Sequence, residues 1–129
     1  MSQLIQKKKG FGELPLYRSI SMFLLFITPV VFNIQKDIKI TYGYKIIDIL
    51  TDSLVNLKKS YRKNNIEEKF LIVNDIYDGI SSTELLFKVL FELGYINERT
   101  QSNISIQIGD ILTQLNGWMK SLGKQIETE

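Results

Sequence analysis

Four stretches of this chain carry apolar residues at intervals of three and four, and that spacing limits the fold more than any other feature. The clearest runs through Ile104, Ile108, Ile111, Leu115, Trp118 and Leu122, the period of a helix that buries one stripe in a bundle seam. Leu16, Ile20, Phe23, Leu24, Ile27 and Val31 repeat the pattern near the start, and Ile46, Ile47, Leu50, Leu54 and Leu57 repeat it next. The segment from Ile66 to Leu93 carries two such stripes. One is Ile66, Phe70, Val73, Tyr77, Ile80, Phe87 and Phe91; the other is Ile72, Ile76, Leu86, Leu90 and Leu93. Two stripes on one helix mean two buried faces. With only two prolines and eight glycines in 129 residues, a loop-rich all-β chain is disfavoured. The expectation is an all-α protein, one domain over residues 1–129, folded as an up-down-up-down antiparallel four-helix bundle. Residues 1–13 are polar and glycine-bearing, and are expected to be mobile.

Local rules set the boundaries. Pro15 suits the first turn of helix one, and Pro29 predicts a kink or an early stop. The polar link NIQKDIKIT, residues 33–41, alternates isoleucines and reads as an extended piece without a partner strand. Helix two is expected from about Thr41 to Lys63, with Asn64-Asn65 as a turn. Within the third segment, Gly79 followed by Ser81 and Glu84 offers a stop and a new capping box. The alternative is one helix with a weak middle, costing about 1 kcal/mol for the glycine relative to alanine. Gly94 should end the segment, and Asn97 should cap helix four. Gly109 and Gly117 are expected to permit close helix approach.

Residues 20–34, ISMFLLFITPVVFNI, are apolar at 11 of 15 positions and follow a triple lysine at 7–9. A bilayer span needs about 20 residues. Ser21, Thr28, Pro29 and Asn33 interrupt the run, and bulky FNIQKDIKI follows where a cleavage site would need small residues. The expectation is a core helix of a cytoplasmic protein with no membrane partner.

The chain has neither histidine nor cysteine. A Ser-His-Asp triad, a thiol nucleophile, a disulfide and a thiolate or imidazole metal site are therefore excluded. Asp48 with Asp52, and Asp75 with Asp78, pair carboxylates on one helix face. Di-metal sites in bundles add a Glu-x-x-His motif, so these pairs read as solvated faces. No cofactor, no metal and no catalysis are expected.

A formal charge of +2 hides an uneven distribution. In an antiparallel bundle one end gathers Lys7, Lys8, Lys9, Arg18, Lys58, Lys59, Arg62, Lys63, Lys69, Lys120 and Lys124, against Glu13, Glu67, Glu68, Glu127 and Glu129, a balance of +6. The remaining five cations and nine acids give −4. A basic helix end also complements the helix dipole, so LKKSYRK at 57–63 has a purely structural reading as well. Concentrated positive charge nevertheless is what phosphate contacts require. The candidate nucleic-acid site is Lys58, Lys59, Arg62, Lys63, Lys69, Lys120, Lys124 and Arg18, with Tyr61 as the stacking aromatic. Tyr42 and Tyr44 read as half-buried helix-end tyrosines, and Trp118 as a core or interface anchor.

Four motifs carry a resemblance. LPLYRS at 14–19, TYGYKI at 41–46, ELGYIN at 92–97 and ILTQLNGWMKSL at 111–122 are similar to the four-helix bundle proteins encoded in 23S rRNA intervening sequences. They look still more like the accessory variability determinant proteins of diversity-generating retroelements. The likeness covers residues 14–122; Leu112 stands where the family pattern often has glycine. It implies a continuous third helix and a homopentameric barrel. In the retroelement branch it implies an accessory protein that binds RNA or DNA and a reverse transcriptase. The rRNA-encoded branch has no defined activity, which leaves a protein-only scaffold as the alternative. A helical RNA nuclease of the HEPN type is the enzyme rival, but its Arg-x4–6-His motif cannot be supplied here.

Overall fold

The computed structural model describes Gly12 and residues 14–128. Residues 7–9, Glu13 and Glu129 of the basic end, and the expected mobile N-terminus, thus lie outside the described residues. Four long helices follow one another: α1 Pro15–Phe32, α2 Tyr44–Arg62, α3 Ile66–Glu92 and α4 Glu98–Thr128. No strand occurs among the described residues. The links 63–65 and 93–97 are too short for anything but antiparallel neighbours. Each helix packs on the next, and α1 closes the ring against α4.

The buried positions keep coiled-coil intervals on every helix. In α3 they are Val73, Ile76, Ile80, Thr83, Phe87 and Leu90; in α2 they are Ile46, Leu50, Ser53, Leu57 and Ser60. α1 contributes Leu16, Ile20, Phe23, Ile27 and Val31, and α4 contributes Ile104, Ile108, Ile111, Leu115 and Leu122. The steps alternate strictly between three and four in α2 and α3, those of knobs-into-holes packing; α1 ends on two steps of four, and α4 passes over half-buried Trp118 between Leu115 and Leu122. Phe23 and Phe87 meet edge to face across the centre, ring centroids 5.9 Å apart. Three seam positions are hydroxyls. Each satisfies itself within its own helix: Ser53 Oγ donates to Ile49 O, Ser60 Oγ to Leu57 O and Thr83 Oγ1 to Ile80 O, at 2.7–2.9 Å.

Several local expectations are corrected. α1 does not stop at Pro29 but runs on to Phe32. The link after it is not extended: a helical turn at Lys36–Ile38 and a π-helical segment at Lys39–Gly43 lead straight into α2. Ile34, Ile38 and Tyr42 repeat every fourth residue and turn toward the core, while Ile40 is exposed. The alternation was therefore a helical pattern. Tyr44 N reaches back five residues to Lys39 O, which accommodates Gly43 against α1. A Cβ on Gly43 would sit 2.6 Å from Val31 Cγ1.

α3 is continuous through Gly79, and Ser82 Oγ donates to Asp78 O inside the helix, so no new cap forms at Ser81. Gly79 lies against α2, where a Cβ would stand 3.2 Å from Ile49 Cγ2. Close approach thus belongs to Gly43 and Gly79. Gly109 and Gly117 are exposed with nothing within 4 Å of a Cβ. The expected cap at Asn97 does form, its Oδ1 accepting from Thr100 N at 2.8 Å; Asn65, expected only as part of a turn, also caps α3, its Oδ1 accepting from Glu68 N at 2.8 Å. Gly94 adopts φ +89°, and Tyr95 N and Gly94 N bond Leu90 O and Phe91 O, the Schellman arrangement that closes α3.

α1 has a second, outward apolar stripe. Met22, Leu25 and Phe32 are 64%, 74% and 54% exposed, with Pro29 between them. By length and composition alone this 18-residue helix would also pass for a membrane span, though its opposite face supplies a quarter of the core, five of 20 buried apolar residues.

Candidate nucleic-acid interface

The fold gathers the start of α1, the end of α2, the start of α3 and the end of α4 at one pole. Among the described residues this pole holds eight cations and three acids, a net +5; the rest holds five cations and nine acids, a net −4. The segregation is therefore present without the N-terminal lysines.

The cations do not act as one patch. Lys58, Lys59 and Arg62, exposed on the last two turns of α2, line a groove of about 450 Å³ against α1, together with Tyr17, Leu54 and Val55. Lys59, Arg62 and Lys63 border a second, shallower depression at the helix end. Lys63 differs from its neighbours: its Nζ lies 3.2 Å from Glu68 Oε1, with the two side chains 45% and 56% exposed. Among the described residues this is the one ion pair. A surface pair of this kind contributes about 0–1 kcal/mol, but it takes Lys63 partly out of the set that can meet an anion. Lys58, Lys59 and Arg62 form no ion pair with a described residue.

Lys69 and Tyr61 leave that groove for another. Both are half-buried in a cleft of about 430 Å³ where the four helices converge, lined also by Leu14, Leu16, Leu57, Gln114 and Trp118. Gln114 Nε2 donates to Ser19 Oγ at 2.9 Å and to Asp110 Oδ2 at 3.0 Å, which fixes α4 against α1 beside it. Arg18 is exposed on the outward side of α1, next to Tyr17; Lys120 and Lys124 are exposed on the last turns of α4. These three line neither cleft and contribute field rather than contact.

Sequence reasoning missed Tyr17, Leu54 and Val55 as the apolar floor of the groove, and Trp118 as a wall of the cleft. The helical period held part of the signal, since Leu54 and Lys58 stand four residues apart and share one face of α2.

Asp48, Asp52, Asp75 and Asp78 are all exposed, and no group of three or more potential metal ligands occurs among the described residues. The pole offers ammonium and guanidinium groups on long flexible stems beside apolar and aromatic surface. Such groups bind phosphate chiefly by releasing counterions. Compared with family models, curated proteins and solved structures, the chain matches none.

Proposed function

We propose that this protein is a non-catalytic accessory factor of a diversity-generating retroelement, binding RNA or DNA backbone through its basic pole and acting beside a reverse transcriptase in the cytoplasm. The observation that carries the nucleic-acid part is the segregation of charge, +5 at one end against −4 elsewhere among the described residues, with three exposed cations along one groove. The partner enzyme and the pentameric state come from the resemblance of the four motifs. The outward stripe of α1 supports self-association, because three large apolar side chains more than half exposed on one helix face favour a covering partner. Without histidine or cysteine, the chain supplies neither of the usual groups for base or nucleophilic catalysis at neutral pH.

The test is RNA binding as a function of salt by the wild type and by the Lys58→Ala, Lys59→Ala, Arg62→Ala, Lys63→Ala quadruple variant. If the four groups each neutralise a phosphate of a single strand, the log-log salt slope of the variant should be shallower by up to about 3, at about 0.7 per phosphate. Lys63, engaged with Glu68, should contribute least. Equal affinity of the two proteins would move the site elsewhere and put the protein-only scaffold ahead.

A further inference from the structure

We infer that the cleft walled by Trp118 and Tyr61 receives an unpaired nucleobase, so that the basic pole selects single-stranded over duplex nucleic acid. This rests on the nucleic-acid reading above and adds to it a second, separate contact.

The placement of the two clefts carries the inference. The cationic groove takes Lys58 and Arg62 from α2 and Tyr17 from α1; the aromatic cleft takes Leu57, Tyr61 and Leu16. These are adjacent residues in each helix. The two clefts therefore lie on neighbouring sides of the same two helix ends, with α1's first turn between them. A backbone lying along Lys58, Lys59 and Arg62 would therefore run beside residues whose sequence neighbours, Leu57 and Tyr61, line the cleft.

The chemistry of the cleft differs from that of the groove in the way a base differs from a phosphate. Its walls are Trp118, Tyr61, Pro15 and three leucines, with Gln114 as a polar group and Lys69 as the one charged group. Aromatic and apolar plates suit the flat face of any base, and a lysine donor suits its polar edge. A volume of about 430 Å³ falls within the range of about 300–1,000 Å³ typical of sites for small planar molecules. A phosphate alone would gain little from so apolar a site. A duplex keeps its bases stacked inside and can offer the cleft nothing without extruding one, at a cost that a single strand does not bear.

Trp118 is the only tryptophan in the chain, so the cleft reports on itself. The full-length protein is titrated with fluorescently labelled oligouridylate, with an oligomer of equal length and charge whose sugars are abasic, and with a blunt duplex. Anisotropy gives affinity, and the intrinsic emission near 118 gives cleft occupancy. The expected result is quenching of Trp118 by oligouridylate only, and binding about 5- to 150-fold tighter than that of the abasic oligomer, the range for one stacked base. Trp118→Leu should lose that advantage, while Trp118→Phe should keep it; circular dichroism of both variants checks the fold. Salt-dependent binding with no quenching, or equal affinity for oligouridylate and the abasic oligomer, overturns the inference and leaves the basic-groove reading intact. No binding of any of the three at low salt overturns both.

Discussion

Replacing glycine by alanine at Gly43 and at Gly117 should move stability in opposite directions, although the chemical change is the same. At Gly43 the new Cβ would stand 2.6 Å from Val31 Cγ1, about 1 Å closer than the usual separation of two carbons in contact. Val31 is fully buried, and its β-branched side chain is stiff at χ1. It therefore cannot swing away, and relief must come from separating α1 from the start of α2. Overpacking of this kind costs about 1–3 kcal/mol, more than the roughly 1 kcal/mol that alanine gains over glycine in a helix. At Gly117, in the middle of α4, nothing lies within 4 Å of the new Cβ and the site is exposed. Only the propensity gain remains there, about 0.5–1 kcal/mol. Urea unfolding followed by circular dichroism, at one fixed protein concentration, should place the midpoint of Gly43→Ala below the wild type and that of Gly117→Ala above it. With a slope of about 1–3 kcal/mol per molar urea, the two variants should be separated by about 1 M. Midpoints shifted the same way by both substitutions would refute the account of Gly43 as the contact that sets the α1–α2 spacing.

Two further outcomes follow from single contacts. Asn65→Ala removes the acceptor for Glu68 N and should cost about 1 kcal/mol in the same urea assay, whereas Asn64→Ala, one residue outside the cap, should be near neutral. Met22→Glu with Leu25→Glu places two charges on the outward stripe of α1, where both side chains are more than three-fifths exposed; helix content should be unchanged, while light scattering should show a lower mass than the wild type's proposed homo-oligomer, and an oligomer of unchanged mass would remove α1 from the proposed interface.

How much of this was legible in the sequence depended on whether a feature was local or relational. The four stripes were legible because helical burial repeats along the chain itself, and the caps at Asn97 and Gly94 were legible because a cap is a contact within a few residues. The link at 33–43 is ambiguous in sequence because Ile38 and Ile40 fit a period of two while Ile34, Ile38 and Tyr42 fit a period of four, and only burial in the fold decides between them. The seam hydroxyls Ser53, Ser60 and Thr83 do not show in a pattern of apolar residues alone. Extending the three-four step through polar positions would have found them, since an internal carbonyl bond lets a small hydroxyl occupy a core site. Glycine was the least legible of all. Gly43 and Gly79 look no different in sequence from Gly109 and Gly117, and what separates them is the neighbouring helix. The same distinction governs the basic pole. Its charge could be summed from topology, because antiparallel order fixes which helix ends meet. Its division into a cationic groove and an aromatic cleft could not, because Lys58 and Tyr61 are three residues apart in the chain yet line different clefts on one helix end. A pole with one property in sequence is thus two surfaces in space, one suited to phosphate and the other to a flat apolar ring, and their adjacency is what the chain's charge alone would never have suggested.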